Sequence, residues 1–161
     1  MKTKTALALI TLAFTPFAFS EEDHSGHDHA SHDHSEHAES ALAGPNQGRI
    51  LTEVEPHLEF FVKEDRKIQL TFTDDEGKAI TPTGQTASAI GGDRSSPTRL
   101  SFAVEGDSLV SDKALPEGKD IPIVLMVKTA ADAKTTPIKF NINMNNCPSC
   151  EHLEYACTCA H

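Results

Sequence analysis

The chain keeps all of its thiols in one stretch, Cys147-Pro-Ser-Cys150-Glu-His152-Leu-Glu-Tyr-Ala-Cys157-Thr-Cys159-Ala-His161. The spacing is C-x2-C, six residues, then C-x-C. Thiolate and imidazole are the usual ligands of Zn²⁺, and soft sulfur also suits Cu⁺. Cys147, Cys150, His152, Cys157, Cys159 and His161 are therefore candidate ligands of one tetrahedral ion. An extended C-x-C throws both sulfurs to one face, which favours shared ligation. A zinc ribbon would need two C-x2-C knuckles, so the spacing matches no recognised finger.

The competing chemistry is a pair of disulfides. A bridge inside Cys157-Thr-Cys159 would be strained, which leaves 147–157 with 150–159, or 147–159 with 150–157. A helix through the insert would hold Cys150 and Cys157 about 10 Å apart at the helical rise per residue, beyond the ~7 Å reach of a bridge. Ser149 is placed to cap a short helical turn through Glu151 to Tyr155. A thioredoxin-like role for Cys147-Pro-Ser-Cys150 lacks the strand–helix context that activates such a thiol. Metal and disulfide readings both stand at this point.

A second ligand-rich stretch lies near the other end, EEDHSGHDHASHDHSEHAES over 21–40. Its histidines, His24, His27, His29, His32, His34 and His37, are spaced alternately three and two residues apart. Neutral imidazole binds zinc and copper, and the surrounding carboxylates add negative field. With only Ala30 and Ala38 as apolar side chains over 21–40, the tract over 21–43 is expected to be disordered. Metal binding there should be promiscuous among borderline cations and weaken below pH ~6.5, where imidazole protonates. The alternatives are a solvated leader and a pH-responsive linker.

These two stretches need an address and a scaffold. Lys2 and Lys4 precede an apolar run from Ala6 to Phe19, and Ala18 and Ser20 are the small residues of a cleavage site. That is the pattern of a secretory signal peptide cut after Ser20, and the run is short for a bilayer span of about 20 residues. The expected location is periplasmic or secreted, with no membrane insertion after cleavage. Removing the two lysines leaves 12 basic residues against 24 acidic ones. Such a field attracts cations and repels nucleic acid. An oxidising compartment also lets disulfides persist.

Between the two ends, over 44–146, the pattern is short extended runs and turns. Ile68, Leu70 and Phe72 alternate, as do Ile138, Phe140, Ile142 and Met144. The run over 121–128 is apolar on both faces, as a central strand would be. Eight strands are expected, beginning near Arg49, His57, Lys67, Gln85, Arg99, Ser108, Ile121 and Pro137, and no sustained helical period occurs. Strand count and turn spacing predict an all-β domain, an antiparallel immunoglobulin-like β-sandwich, with a small closed barrel as the alternative. Met126 and Met144 are read as packing. His57 is a weaker metal candidate, with Glu55 or Glu59 beside it.

The stretch Gly44-Pro-Asn-Gln-Gly-Arg-Ile-Leu-Thr-Glu-Val-Glu-Pro-His-Leu-Glu-Phe-Phe-Val62 resembles the small β-sandwich module of heavy-metal efflux systems. That module occurs in periplasmic adaptor proteins of the resistance-nodulation-division type and in small secreted companions. The likeness covers about residues 44–80, and Gln47 replaces a glycine of the usual Gly-Pro-x-Gly-Gly turn. It implies a soluble periplasmic companion that binds or hands over metal to an efflux complex. The chain has no room for an adaptor's helical hairpin and lipoyl-like domains. The residues themselves suggest a buffer or chaperone for copper or zinc. The alternative is a non-catalytic interaction module with a disulfide-stapled tail. No serine–histidine–acid ordering, phosphate loop or His-Glu-x-x-His pattern points to an enzyme.

Overall fold

The computed structural model describes residues 44–159. The expected signal peptide over 1–20, the histidine tract with His24 to His37, and His161 lie outside the described residues. Nine strands run in the order β1 (Arg49–Leu51), β2 (His57–Val62), β3 (Lys67–Thr73), β4 (Ala79–Ile80), β5 (Thr86–Gly91), β6 (Thr98–Glu105), β7 (Ser108–Ala114), β8 (Asp120–Lys128) and β9 (Thr136–Asn143). All pairings are antiparallel. Each of the eight expected runs is a strand. The two-residue β4 is additional, positioned by Asp74, whose Oδ1 accepts the amides of Glu76 and Lys78.

The patterning leads to two stacked sheets, whereas the hydrogen bonds draw one path, β1-β2-β3-β7-β6-β5-β8-β9. The cause is β6. Its first half pairs with β5, through Ser101↔Ser88 and Leu100↔Ala89. Its second half pairs with β7, through Phe102↔Ser111 to Glu105↔Ser108. One strand thus serves both halves, and the sheet curls into a half-barrel instead of separating into two layers.

The concave face carries the alternating apolar residues. Leu58, Phe60, Ile68, Leu70, Phe72, Leu125 and Val127 are fully buried, with Ile121, Ile123, Ile138 and Ile142 at most 3% exposed. β8, between β5 and β9, buries Ile121, Ile123, Leu125 and Val127 at every second position. Burying a side chain of this kind contributes about 1.5–3 kcal/mol relative to leaving it in water. Where the β3–β7 register shifts between Lys67 and Gln69, the Ile68 amide donates to Ser111 Oγ at 2.9 Å. Ser111 Oγ donates in turn to the Lys113 carbonyl. That accounts for a buried serine in a core strand.

Among the described residues the path ends in β1 on one side and β9 on the other. The short 3-10 helix η1 (Glu154–Ala156) touches both. Tyr155 and Ala156 are 6% and 8% exposed and belong to the same core cluster as the strands. The cysteine-bearing segment is thus packed over the seam of the sheet.

Candidate metal centre

The segment is built by a few local hydrogen bonds. After β9, the Cys147 amide donates to the His152 carbonyl and the Glu154 amide to the Asn145 carbonyl, both at 2.9 Å. These bonds close residues 147–152 into a tight loop that presents Cys147 and Cys150. The expected helical turn over 151–155 is absent. Its would-be capping residue, Ser149, instead aims its amide at Cys147 Sγ, 3.4 Å away. The actual helix is only Glu154–Ala156, and its N-cap Leu153 makes no side-chain cap. Cys157 closes that turn, donating its amide to the Glu154 carbonyl. The chain then extends, and the Cys159 amide donates to Cys157 Sγ at 3.3 Å.

Both cysteine pairs therefore use one device: the sulfur of the first cysteine accepts the amide two residues on. Such bonds favour the charged form of a thiol. The result is a four-sulfur group, Cys147, Cys150, Cys157 and Cys159, with every Sγ within 4.8 Å of every other. Cys157 is its hub, 3.2 Å from Cys147 and 3.7 Å from Cys150. A tetrahedral ion with Zn–S bonds of 2.3 Å requires sulfurs about 3.8 Å apart, so the group already has nearly that size. No disulfide joins these cysteines among the described residues, and Cys150 and Cys157 are far closer than the uninterrupted helix would have held them.

The electrostatics ask for a cation. Burial pushes the Cys147 thiol up, but the Ser149 amide and the Cys157 and Cys150 thiols outweigh it and bring Cys147 down to about 6. Cys157 gains from the Cys159 amide, yet the Cys147 sulfur, burial and the neighbouring thiols push it up to about 12. Cys159 is helped by the Cys157 thiol but raised overall by Cys150, burial and the surrounding sulfur charge. One thiolate forms readily and then suppresses the others. A bound cation removes that mutual repulsion and lets all four ionise.

Of the other candidate ligands, His152 stands outside the converging group, and its carbonyl serves the backbone loop. His57 lies 3.5 Å from Glu55. Glu59 is not available to it, because that carboxylate is fully buried and already bonded. Glu59 Oε1 accepts the amides of Asn46 and Gly48, each at 2.8 Å, and Oε2 accepts Asn46 Nδ2 at 2.7 Å. A Cβ on Gly44 would collide with the Glu59 carboxyl, and one on Gly48 would lie 2.5 Å from the Phe60 carbonyl. The Gly44–Gly48 loop is thus a cradle for a buried carboxylate, and the stretch that carried the family resemblance has a structural job. Gln47 adopts φ 64°, a left-handed conformation that favours glycine.

The sequence offers Glu59 only as a neighbour of His57 and does not mark Tyr155 at all. Glu59 occupies an outward position of an alternating strand. Tyr155 lies among the cysteines, but its function is attachment. Its hydroxyl accepts the Val62 amide at 2.9 Å, on the side of β2 where β1 has already ended. Its ring packs edge-on to Phe60, 6.1 Å between centroids, and Phe60 packs edge-on to Phe140 at 5.1 Å. Arg49 covers Phe140 at 4.9 Å. Grooves of about 290 Å³ and 280 Å³ run between the tail and residues 46–50 and 61–62.

No protein-family model, no curated protein and no solved structure matches this chain. The functional reading therefore rests on the geometry of the four sulfurs.

Proposed function

We propose that this is a metal-binding protein whose four-cysteine centre holds one thiophilic cation, Zn²⁺ before Cu⁺. The carrying observation is the convergence of four cysteine sulfurs at separations that bracket those of a tetrahedral tetrathiolate site. Four protein ligands leave no open coordination position, which suits holding an ion and not catalysis with it. In this reading His24, His27, His29, His32, His34 and His37 form a lower-affinity collector, and the signal sequence directs the protein to the periplasm or outside the cell. The acidic balance and the resemblance over 44–62 support a companion of a metal-efflux complex, acting as a buffer or chaperone. The second reading is a non-catalytic interaction module whose tail is stapled by disulfides. It is favoured by the 3.2 Å between Cys147 and Cys157.

Native mass spectrometry of the protein, purified without reductant and measured with and without a chelator, separates the two. The metal reading expects one ion per chain that persists when the histidine tract is saturated with protons at pH 5.5 and disappears in Cys157→Ser. A mass lighter by the four thiol hydrogens, with no metal after reduction and zinc addition, would sink it.

A further inference from the structure

The outer face of the sheet carries a second site, remote in sequence from the cysteines. In register across four strands stand Arg99 (β6), Ile90 (β5), Val124 (β8) and Lys139 (β9), since Arg99 pairs with Ile90, Ile90 with Val124, and Val124 with Lys139. At about 4.8 Å per strand, the two cations stand roughly 14 Å apart with two apolar side chains between them. The β5–β6 turn adds Arg94, and Pro122 extends the apolar floor. Together they line a cleft of about 670 Å³. Ile90 and Val124 are half-buried on its floor, while Arg94, Arg99 and Lys139 are exposed on its rim.

The cations are unusual in their setting. The chain has a formal charge of −10, yet among the described residues no carboxylate lines this cleft. Among the described residues the ion pairs, His57–Glu55 and Lys113–Asp112, involve none of the three. Asp93, the acid nearest in sequence, is turned onto Ser95, accepting its amide at 2.7 Å and its hydroxyl at 2.6 Å. An apolar floor ringed by uncompensated cations matches a ligand with an apolar body and an anionic head. The volume lies inside the range of about 300–1,000 Å³ usual for small-molecule sites. A partner's strand is a poorer occupant. The floor belongs to β5 and β8, which are paired on both sides and offer no free backbone for strand addition.

We infer that this cleft binds an aliphatic carboxylate, its chain laid over Ile90, Val124 and Pro122 and its head held by Arg99 or Lys139 with Arg94. The site is independent of the metal reading. The test titrates ¹⁵N-labelled protein with octanoate, with 1-octanol and with inorganic phosphate, following the amides of Ile90, Gly92, Val124 and Lys139. Octanoate is expected to shift these amides and to bind at least tenfold more tightly than either control. In Arg99→Ala/Lys139→Ala, whose replaced side chains are exposed, octanoate binding should fall at least tenfold while the far-UV circular dichroism is unchanged. Equal binding of octanol would reduce the cleft to an apolar patch, and equal binding of phosphate to a basic one. Either result overturns the inference, as do shifts confined to other residues or full octanoate binding by the double variant.

Discussion

Zinc should stabilise the fold itself, because the four ligands and the residues that seal the sheet seam belong to one short segment. Binding to the native state alone stabilises by RT ln(1 + [L]/Kd), about 2.7 kcal/mol at a hundredfold excess over Kd. For a domain of this size each kcal/mol moves Tm by roughly 3–5 °C, so the reduced protein should melt about 10 °C higher with zinc than with chelator. Without the ion the tail is held by the burial of Tyr155 and its hydroxyl bond to the Val62 amide. Those contribute only a few kcal/mol, about 1.5–3 from burial and about 1 from the bond. Chelation should therefore loosen the tail before the sheet unfolds. The assay follows circular dichroism for the sheet and tyrosine emission for the tail, since the chain has one tyrosine and no tryptophan. Cys157→Ser, which removes the hub sulfur, should abolish the zinc-dependent shift. An ion held equally by folded and unfolded chain leaves Tm unchanged, so histidine-tract binding of that kind does not mimic the effect. A zinc-dependent rise as large in Cys157→Ser as in the natural chain would refute the assignment.

Three further outcomes follow from single contacts. Burial raises the Tyr155 hydroxyl above its usual value, with the Val62 amide opposing and the Glu59 charge reinforcing the rise. The unfolded chain therefore loses this proton first, so stability is full below pH ~10 and declines above it. Tyr155→Phe should lose part of that alkaline decline and cost about 1–3 kcal/mol in a urea melt, by stranding the buried Val62 amide. Gln47→Gly should stabilise by about 0.5–1 kcal/mol in the same melt, relieving a left-handed residue. Glu59→Gln should cost roughly 1–2 kcal/mol, because its new amide faces the donor Asn46 Nδ2. Adding Asn46→Asp supplies an acceptor and should recover most of that loss; strict additivity of the pair would refute the cradle.

The strands were legible because burial on one face imposes a period of two, and β8 shows that alternation from Ile121 to Val127. Their closure into one path was not, since nothing local in Thr98–Glu105 reveals that it changes partner at Phe102. β4 is too short to carry a period. Glu59 was opaque for a related reason. It occupies an outward position, and the loop that buries it arrives from thirteen residues earlier in sequence. The four candidate ligands were legible from residue type alone. The helix expected beside them was not formed, because the Ser149 amide serves a sulfur and the Cys147 amide closes the loop. Propensity was overridden by the cluster it was meant to present.

The unequal setting of the four sulfurs says how an ion would leave. Cys147 is 5% exposed, inside the loop closed by His152. Cys157 is the hub and closes η1. Cys159 lies beyond the last element, half-buried, where the chain extends. Releasing it costs one amide–sulfur bond, whereas releasing Cys147 opens the loop and the buried turn behind it. A competing thiol on an acceptor protein would therefore displace Cys159 first, and exchange would proceed from that side. Cys159→Ser should speed zinc transfer to a chromogenic chelator at least tenfold while leaving most of the chelator-state Tm. Cys147→Ser should lower Tm even with chelator present. Equal transfer rates and equal melting losses in the two variants would mean that the sulfurs act as an undivided set, and that no order of release is built into the site.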